Sequence, residues 1–405
     1  MYMPHIDLKY KPGDDLVCEF YLEPAKGLSI RKASEQVAAE SSTGTWTRVF
    51  TDKPYMQKLA AKVFSIKGKR VRIAYPPELF EPGNIPQNLS SVAGNIFGMK
   101  SVKNLRLVDI QIPEGLVKAF KGPKFGIQGV RNILGVKKRP LIGTIVKPKL
   151  GLETEDHAEV AYKAWVGGCD IVKDDENLSN QGFNPFLKRI IKTLEMRKKA
   201  EEETGEKKVY MPNVTAETEE MLRRMKFVED NGGRYAMVDL ITCGFSSLQT
   251  MRDKNFNLVL HAHRAMHAAF TRNKKHGISM LVVAKLARLV GVDQIHVGTV
   301  IGKMEGGKEV IGIAEWLRNE FHELKAVFPV CSGGLHPGHV PKLIEMLGND
   351  IIIQAGGGIH GHKMGTEAGA RAMRQAVDSV MENVPAKEYA KNHKELAIAL
   401  KQWKC

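Results

Sequence analysis

Cysteine is scarce in this sequence, and no two cysteines lie close together. The five, Cys18, Cys169, Cys243, Cys331 and Cys405, form no CxxC pair and are odd in number. That argues against a disulfide framework and a thiolate zinc site, and it fits a reducing, cytoplasmic setting. Long apolar runs are missing too. None approaches the roughly 20 residues a membrane helix needs, so no membrane partner is expected. The start, Met1-Tyr2-Met3-Pro4-His5, lacks the apolar core of a signal peptide. Aromatic residues make up only 7% of the chain, and basic residues form no block. A nucleic-acid-binding protein would show clustered positive charge with interleaved aromatics, so nucleic acid is not expected as a partner. Low-complexity segments are absent as well.

What is present is an ordinary globular composition with a basic excess. The 405 residues are 43% hydrophobic and 26% charged, and the net charge is +15. Such a length allows about two to three domains and a large core. Basic residues often stand between acids, as in Glu195-Met196-Arg197-Lys198-Lys199-Ala200-Glu201. Most of them read as a soluble charged surface, with small polyanions a further partner class.

Residues 1–120 read as a mixed α+β domain. Residues 16–22 alternate like a strand, and residues 29–39 have helical spacing with Ser29 as N-cap. Residues 45–50 read as a short strand. A helical stretch is expected from Asp52 to about Ser65, and strands over 70–75 and 105–112. Pro123 and Lys137-Lys138-Arg139-Pro140 mark the passage into a second domain, 121–405. From residue 141, strand-length apolar runs recur, each followed by polar or Gly-rich residues and a helix-like stretch. They cover 141–146, 169–172, 209–214, 235–242, 257–261, 294–297, 326–330 and 351–354. Near-continuous hydrophobic strands alternating with helices imply a parallel sheet buried on both faces. Eight such units over about 250 residues match a closed (β/α)8 TIM barrel. An open doubly wound sheet is the alternative.

Chemistry gathers at the ends of these runs, where a barrel carries its active site. Lys173-Asp174-Asp175-Glu176 follows the second run. Residues two apart on a strand face the same way, so Lys173 and Asp175 point together, with Glu176 at the mouth. One reading is a plain ion pair. The other is a carbamate, formed when a neutral lysine amine takes up CO₂. Three anionic oxygen groups at one strand end suit a hard, octahedral Mg²⁺. The first run ends in Lys147-Pro148-Lys149, a pair less solvated than usual because it follows a buried strand. The fifth run leads into His261-Ala262-His263-Arg264-Ala265-Met266-His267. Its histidines fit zinc or a hydrogen-bonded core, and His263 with Arg264 suits an anionic group. The sixth gives His296 and then a Gly-rich segment with Lys303. This is no P-loop, since the glycine spacing is one short and Met304 stands where Ser/Thr would be. It reads as a mobile lid that delivers Lys303. The seventh and eighth end in Cys331-Ser332-Gly333-Gly334 and Ala355-Gly356-Gly357-Gly358. Bare backbone N–H groups there form anion nests. Together these features imply a small bisphosphorylated substrate and enolate-type chemistry between its phosphates.

The residues now resemble a known family. Glu40-Ser41-Ser42-Thr43-Gly44-Thr45-Trp46-Thr47, Gly94-Asn95-Ile96-Phe97-Gly98, Lys147-Pro148-Lys149-Leu150-Gly151-Leu152, the 167–177 stretch, the 261–267 run and the loop ending at Lys303 stand in the order of the large subunit of ribulose-1,5-bisphosphate carboxylase/oxygenase (RuBisCO). The likeness runs from about residue 16 to about 375. It implies a ferredoxin-like N-terminal α+β domain before the TIM barrel. It also implies a carboxylase that joins CO₂ to ribulose 1,5-bisphosphate, yields two 3-phosphoglycerate and takes O₂ as competing substrate.

Carried over, Lys173 resembles the carbamylated lysine, with Asp175 and Glu176 as fellow Mg²⁺ ligands. Lys147 resembles the proton carrier, Lys149 its neighbour, His263 a further acid/base and Lys303 the lid lysine that polarises CO₂. Arg264, His296 and Ser332 resemble contacts to one phosphate. Thr45, Trp46, Gly334, Gly356 and Gly357 resemble contacts to the other. Glu40 and Asn95 resemble residues that reach a neighbouring subunit's site, which implies a homodimer or an oligomer of dimers with shared sites. Gly333-Gly334-Leu335-His336-Pro337-Gly338 and Gly361-His362-Lys363-Met364-Gly365-Thr366 look closest to the archaeal form III branch, for which no small subunit is expected. RuBisCO-like enolases or isomerases usually lack several catalytic residues, and none of the principal ones is replaced here. An amidohydrolase barrel would place its HxH pair before the lysine, not about ninety residues after it as here.

Overall fold

Strand signals in the sequence become thirteen strands in the computed structural model, which describes residues 5–44, 50–301 and 307–405. They are β1 Leu16–Pro24, β2 Lys62–Lys67, β3 Arg70–Tyr75, β4 Val102–Gln111, β5 Leu141–Ile145, β6 Ile171–Lys173, β7 Val209–Met211, β8 Tyr235–Asp239, β9 Val259–His263, β10 Gly277–Ile278, β11 Gln294–Gly298, β12 Phe328–Ser332 and β13 Ile352–Gln354. The chain divides into two compact units, Met1–Lys121 with Met266–Val290, and Gly122–Ala265 with Gly291–Cys405. No helix among the described residues is long and apolar enough to cross a membrane.

The first unit holds a five-stranded sheet in the order β10-β4-β1-β3-β2. All pairings are antiparallel except β10 with β4. Alternation in β1 buries Cys18, Phe20 and Leu22. Helix Ile30–Glu40 lies against β1 and β2 and buries Ala33, Val37 and Ala38. It starts where expected, with Ser29 Oγ accepting from Lys32 N at 3.2 Å. The helical stretch expected from Asp52 to Ser65 is a different structure. Pro54–Leu59 is a 3₁₀ helix, and from Lys62 the chain is strand β2, paired Lys62↔Ala74 and Val63↔Ile73 with β3. The partner strand follows after only Gly68 and Lys69, and pairing with it overrides the helical spacing read in the segment itself. The short strand expected over 45–50 lies, but for Phe50 in a turn, outside the described residues.

The second unit is the barrel. All eight strand runs after residue 141 form one parallel sheet, ordered β7-β6-β5-β13-β12-β11-β9-β8. The edges meet through an Asn213↔Met237 bridge, with Val214 N donating to Met237 O at 3.0 Å and Met237 N to Pro212 O at 2.9 Å. The open-sheet alternative is thereby set aside. The apolar core sits at the strand starts, where Leu141, Ile171, Val209, Tyr235, Val259, Phe328 and Ile352 pack with Val130 and Leu134 of helix Gly126–Leu134. That helix plugs the N-terminal end of the barrel. The strands' C-terminal ends are left for polar side chains.

Candidate active site

Strand β6 is only three residues long, and its last residue, Lys173, is 1% exposed. The Lys173 Nζ donates to the backbone oxygen of Asp174 at 2.7 Å and lies 3.7 Å from Glu176 Oε2. Burial pushes this amine toward its neutral form, against the pull of Glu176, Asp175, Asp239 and Asp174. The pleat separates the neighbouring acids as expected. Asp175 turns to the mouth and accepts from Lys147 Nζ at 2.6 Å. Its other oxygen takes the Asn177 backbone N–H and side-chain amide, both at 3.1 Å. Burial would raise the Asp175 carboxyl, but Lys147 and Asn177 outweigh it and hold it low. Glu176 is likewise held low, by Lys173 and His263 acting against its partial burial.

Lys149 is exposed and Lys147 half-buried, so the lysine pair is more solvated than its place after a buried strand suggested. Residues following a strand's last ladder bond regain solvent quickly, and Lys149 is four beyond β5.

Strand β9 brings two histidines inward. The rings of His261 and His263 each lie 4.8 Å from that of His296, on neighbouring β11. His263 Nδ1 is 2.9 Å from Asp239 Oδ1, and its Nε2 is 3.7 Å from Glu176 Oε2. His261 Nδ1 contacts Gln294 Oε1 at 3.1 Å, while its buried Nε2 has no hydrogen-bond partner. Burial, reinforced by the nearby positive groups, keeps His261 and His296 neutral well below the usual histidine range. The third histidine of the run, His267, starts the short helix Ala268–Thr271 and contacts Thr271 Oγ1 at 2.8 Å. Among the described residues no group of three or more His, Cys, Asp or Glu side chains is arranged to hold a metal, so a three-histidine zinc site is absent there.

At the next strand ends His296 Nδ1 meets Ser332 Oγ at 2.8 Å. Arg264 has no acid within ion-pair distance among the described residues, and burial lowers it to about 10. Gly298 makes room for it. A Cβ there would stand 2.7 Å from Arg264 Nη2, and its φ of +97° suits only glycine. Strand pairing sets Ser332 opposite Gln354, so the 333–334 and 356–357 glycines leave adjacent strand ends. Gly356 also borders Lys147, whose Cε would be 3.1 Å from a Cβ there. Thr45, Trp46 and Lys303 lie outside the described residues. Glu40 and Asn95 belong to the first unit. Glu40 ends helix Ile30–Glu40, Asn95 starts the turn Asn95–Gly98, and those two elements touch.

Sequence reading missed the residues that hold these groups: Asp239 behind His263, and Asp174, Arg189, Tyr210 and Asn213 behind the 173–176 segment. Asp239 lay inside the 235–242 run, and the structure ends that strand, β8, at this residue.

Comparisons with known proteins identify the family. Residues 126–403 match the family model described as ribulose bisphosphate carboxylase large chain, catalytic domain, and residues 4–116 match its N-terminal domain. The chain belongs to this family. A ribulose bisphosphate carboxylase of Methanocaldococcus jannaschii is 53% identical over 99% of this chain and 100% of its own length. One from Pyrococcus furiosus is 48% identical over 99% and 97%. Among solved structures, the octameric Rubisco of Pyrococcus horikoshii in complex with sulfate superposes with a TM-score of 0.95 at 48% identity, covering 98% of this chain and 96% of that one. The dimeric archaeal Rubisco of Hyperthermus butylicus gives 0.93 at 46%, covering 98% of each.

Proposed function

We propose that this chain is a ribulose-1,5-bisphosphate carboxylase of the archaeal kind. It adds CO₂ to the sugar bisphosphate and cleaves the product to two 3-phosphoglycerate, with O₂ as competing substrate. The carrying observation is the convergence of buried Lys173 and Asp175 and half-buried Glu176 with Lys147 and the Asp239-held His263 at one end of the barrel. The donor set fits Mg²⁺. Two carboxylates fall short of a cage, and a carbamate on Lys173 adds the missing oxygens. When bound there, the ion supplies a Lewis acid for two adjacent substrate oxygens.

The chain's own groups do the rest. Lys147 handles protons at the substrate and product carbons, with Lys149 beside it. Asp239 fixes one nitrogen of His263 and leaves the other for proton transfer. Arg264, in ion-pair contact with no acid among the described residues, holds one phosphate with His296 and Ser332. The Gly334, Gly356 and Gly357 backbone holds the other with Thr45 and Trp46, and Lys303 closes over CO₂. Glu40 and Asn95 complete a neighbouring subunit's site in a homodimer or an oligomer of dimers, in keeping with the relatives described as dimeric and octameric. A cytoplasmic location and the absence of a small subunit accompany this reading.

The test is incubation with ribulose bisphosphate, Mg²⁺ and labelled bicarbonate. Label in 3-phosphoglycerate is expected. Substrate isomerised without label would favour the enolase-like alternative and overturn the proposal.

A further inference from the structure

Between Lys173, Asp175 and Glu176 stands a carboxylate that faces away from the mouth. Asp174 is fully buried, and its Oδ1 accepts from Tyr210 Oη at 2.7 Å and lies 3.1 Å from His157 Nε2. Its Oδ2 accepts from Arg189 Nε at 3.2 Å and from the Asn213 backbone N–H at 3.0 Å. These partners come from helix Thr154–Val166, helix Phe186–Thr204, β7 and the segment just after it. Arg189 also donates to the backbone oxygens of Asn184 and Ser179, both at 2.7 Å. The Asn213 side-chain amide donates to three more, those of Asp175 at 3.4 Å, Glu176 at 3.0 Å and Leu178 at 3.0 Å. The chain between Lys173 and Leu178 is neither helix nor strand, so these side chains stand in for backbone pairing.

We propose that Asp174 is a positioning residue for CO₂ capture. Its carboxylate, locked by Arg189, Tyr210 and Asn213 with His157 close by, fixes the peptide whose carbonyl aims the Lys173 amine and whose continuation carries Asp175 and Glu176. The inference rests on the functional reading above and goes beyond it, because Asp174 touches neither the ion nor the substrate. A cluster that merely filled space between barrel and helices would be replaceable at a cost in stability alone. A cluster that sets the position of three donors alters how readily they capture CO₂ and the ion. A buried carboxylate held by three donors, from Tyr210, Arg189 and the Asn213 backbone, is fixed in a single geometry.

Two variants of the full chain test it. Tyr210→Phe keeps the ring and deletes one donor. Asp174→Asn keeps the shape and removes the charge opposite Arg189. Labelled CO₂ trapped on Lys173 is measured against CO₂ and Mg²⁺ concentration and pH, next to the melting temperature and the KM for ribulose bisphosphate. The parent is expected to trap one label per chain. Tyr210→Phe should need at least threefold more CO₂ or Mg²⁺ for half-trapping, and Asp174→Asn at least tenfold more, with the KM of the trapped fraction unchanged. Should Asp174→Asn fail to fold, Tyr210→Phe decides. A Tyr210→Phe protein that melts earlier yet traps CO₂ at the parent's concentrations overturns the inference. A parent that traps no label overturns the functional reading itself, and this inference with it.

Discussion

Replacing Gly298 by alanine puts the phosphate reading of Arg264 under direct strain. The residue ends β11 with φ +97°, a conformation that costs a side-chain-bearing residue about 1–3 kcal/mol. The added Cβ would lie 2.7 Å from Arg264 Nη2 and 3.6 Å from Val310 Cγ2. Ordinary contact begins near 3.5 Å, so the guanidinium must retreat by roughly 1 Å. A fork displaced that far loses its alignment with a phosphate. Hydrogen bonds to charged groups contribute about 1.5–3 kcal/mol, which predicts a rise in KM for ribulose bisphosphate of roughly 10- to 150-fold, with kcat changed far less. The backbone strain should lower the melting temperature by roughly 1–4 °C. Steady-state kinetics on the activated protein, with a melt beside it, reads both. A protein that melts earlier but keeps its KM would show that Arg264 is not aimed at the substrate.

Other outcomes follow from the same geometry. Lys173→Ala should abolish activation by CO₂ and Mg²⁺, and normal activation in that variant would contradict the carbamate assignment. Asp170 takes both guanidinium nitrogens of Arg139 at 2.7 Å and the Ile142 backbone N–H at 2.8 Å. Burial would raise its carboxyl, but Arg139, Arg374 and Ile142 outweigh this and depress it. A depressed carboxylate stabilises the fold fully above its unfolded pKa, about 3.9, and loses that stabilisation as pH falls through the lower folded value. Asp170→Asn should therefore cost about 3–5 kcal/mol near pH 7, by urea midpoint, and the gap to the parent should close in strong acid. A gap independent of pH would refute the ion-pair account. Mixed Glu40→Ala and Lys173→Ala chains should regain activity through hybrid dimers, and subunits that exchange without complementing would count against shared sites.

The barrel was legible because its signal is repetitive and local. Each strand is a short apolar run, and its chemistry follows within a few residues. Lys173 with Asp175, and His261 with His263, could thus be set on shared strand faces by periodicity, before any family likeness was used. β2 was illegible for a different reason. Its strand state comes from pairing with β3, from Lys67↔Arg70 out to Lys62↔Ala74, which the helical spacing read from Asp52 onward masked. The supporting residues were hidden by distance. Asp174 and Asn213 stand 39 positions apart, and Asp239 and His263 stand 24 apart. Nothing in either local segment marks them as partners.

The alternation across residues 173–175 carries a constraint of its own. Lys173 and Asp175 serve the mouth, while Asp174 serves the helical layer behind it. Inserting or deleting a single residue just after Ile171 would exchange the two sides. An insertion would set Val172 where the amine belongs and turn Lys173 toward Arg189, and a deletion would set Asp174 where the amine belongs. The segment can change composition over time, but its length is held like a reading frame. Lineages of this chain should accommodate insertions beyond Leu178 and almost none within the few residues before it.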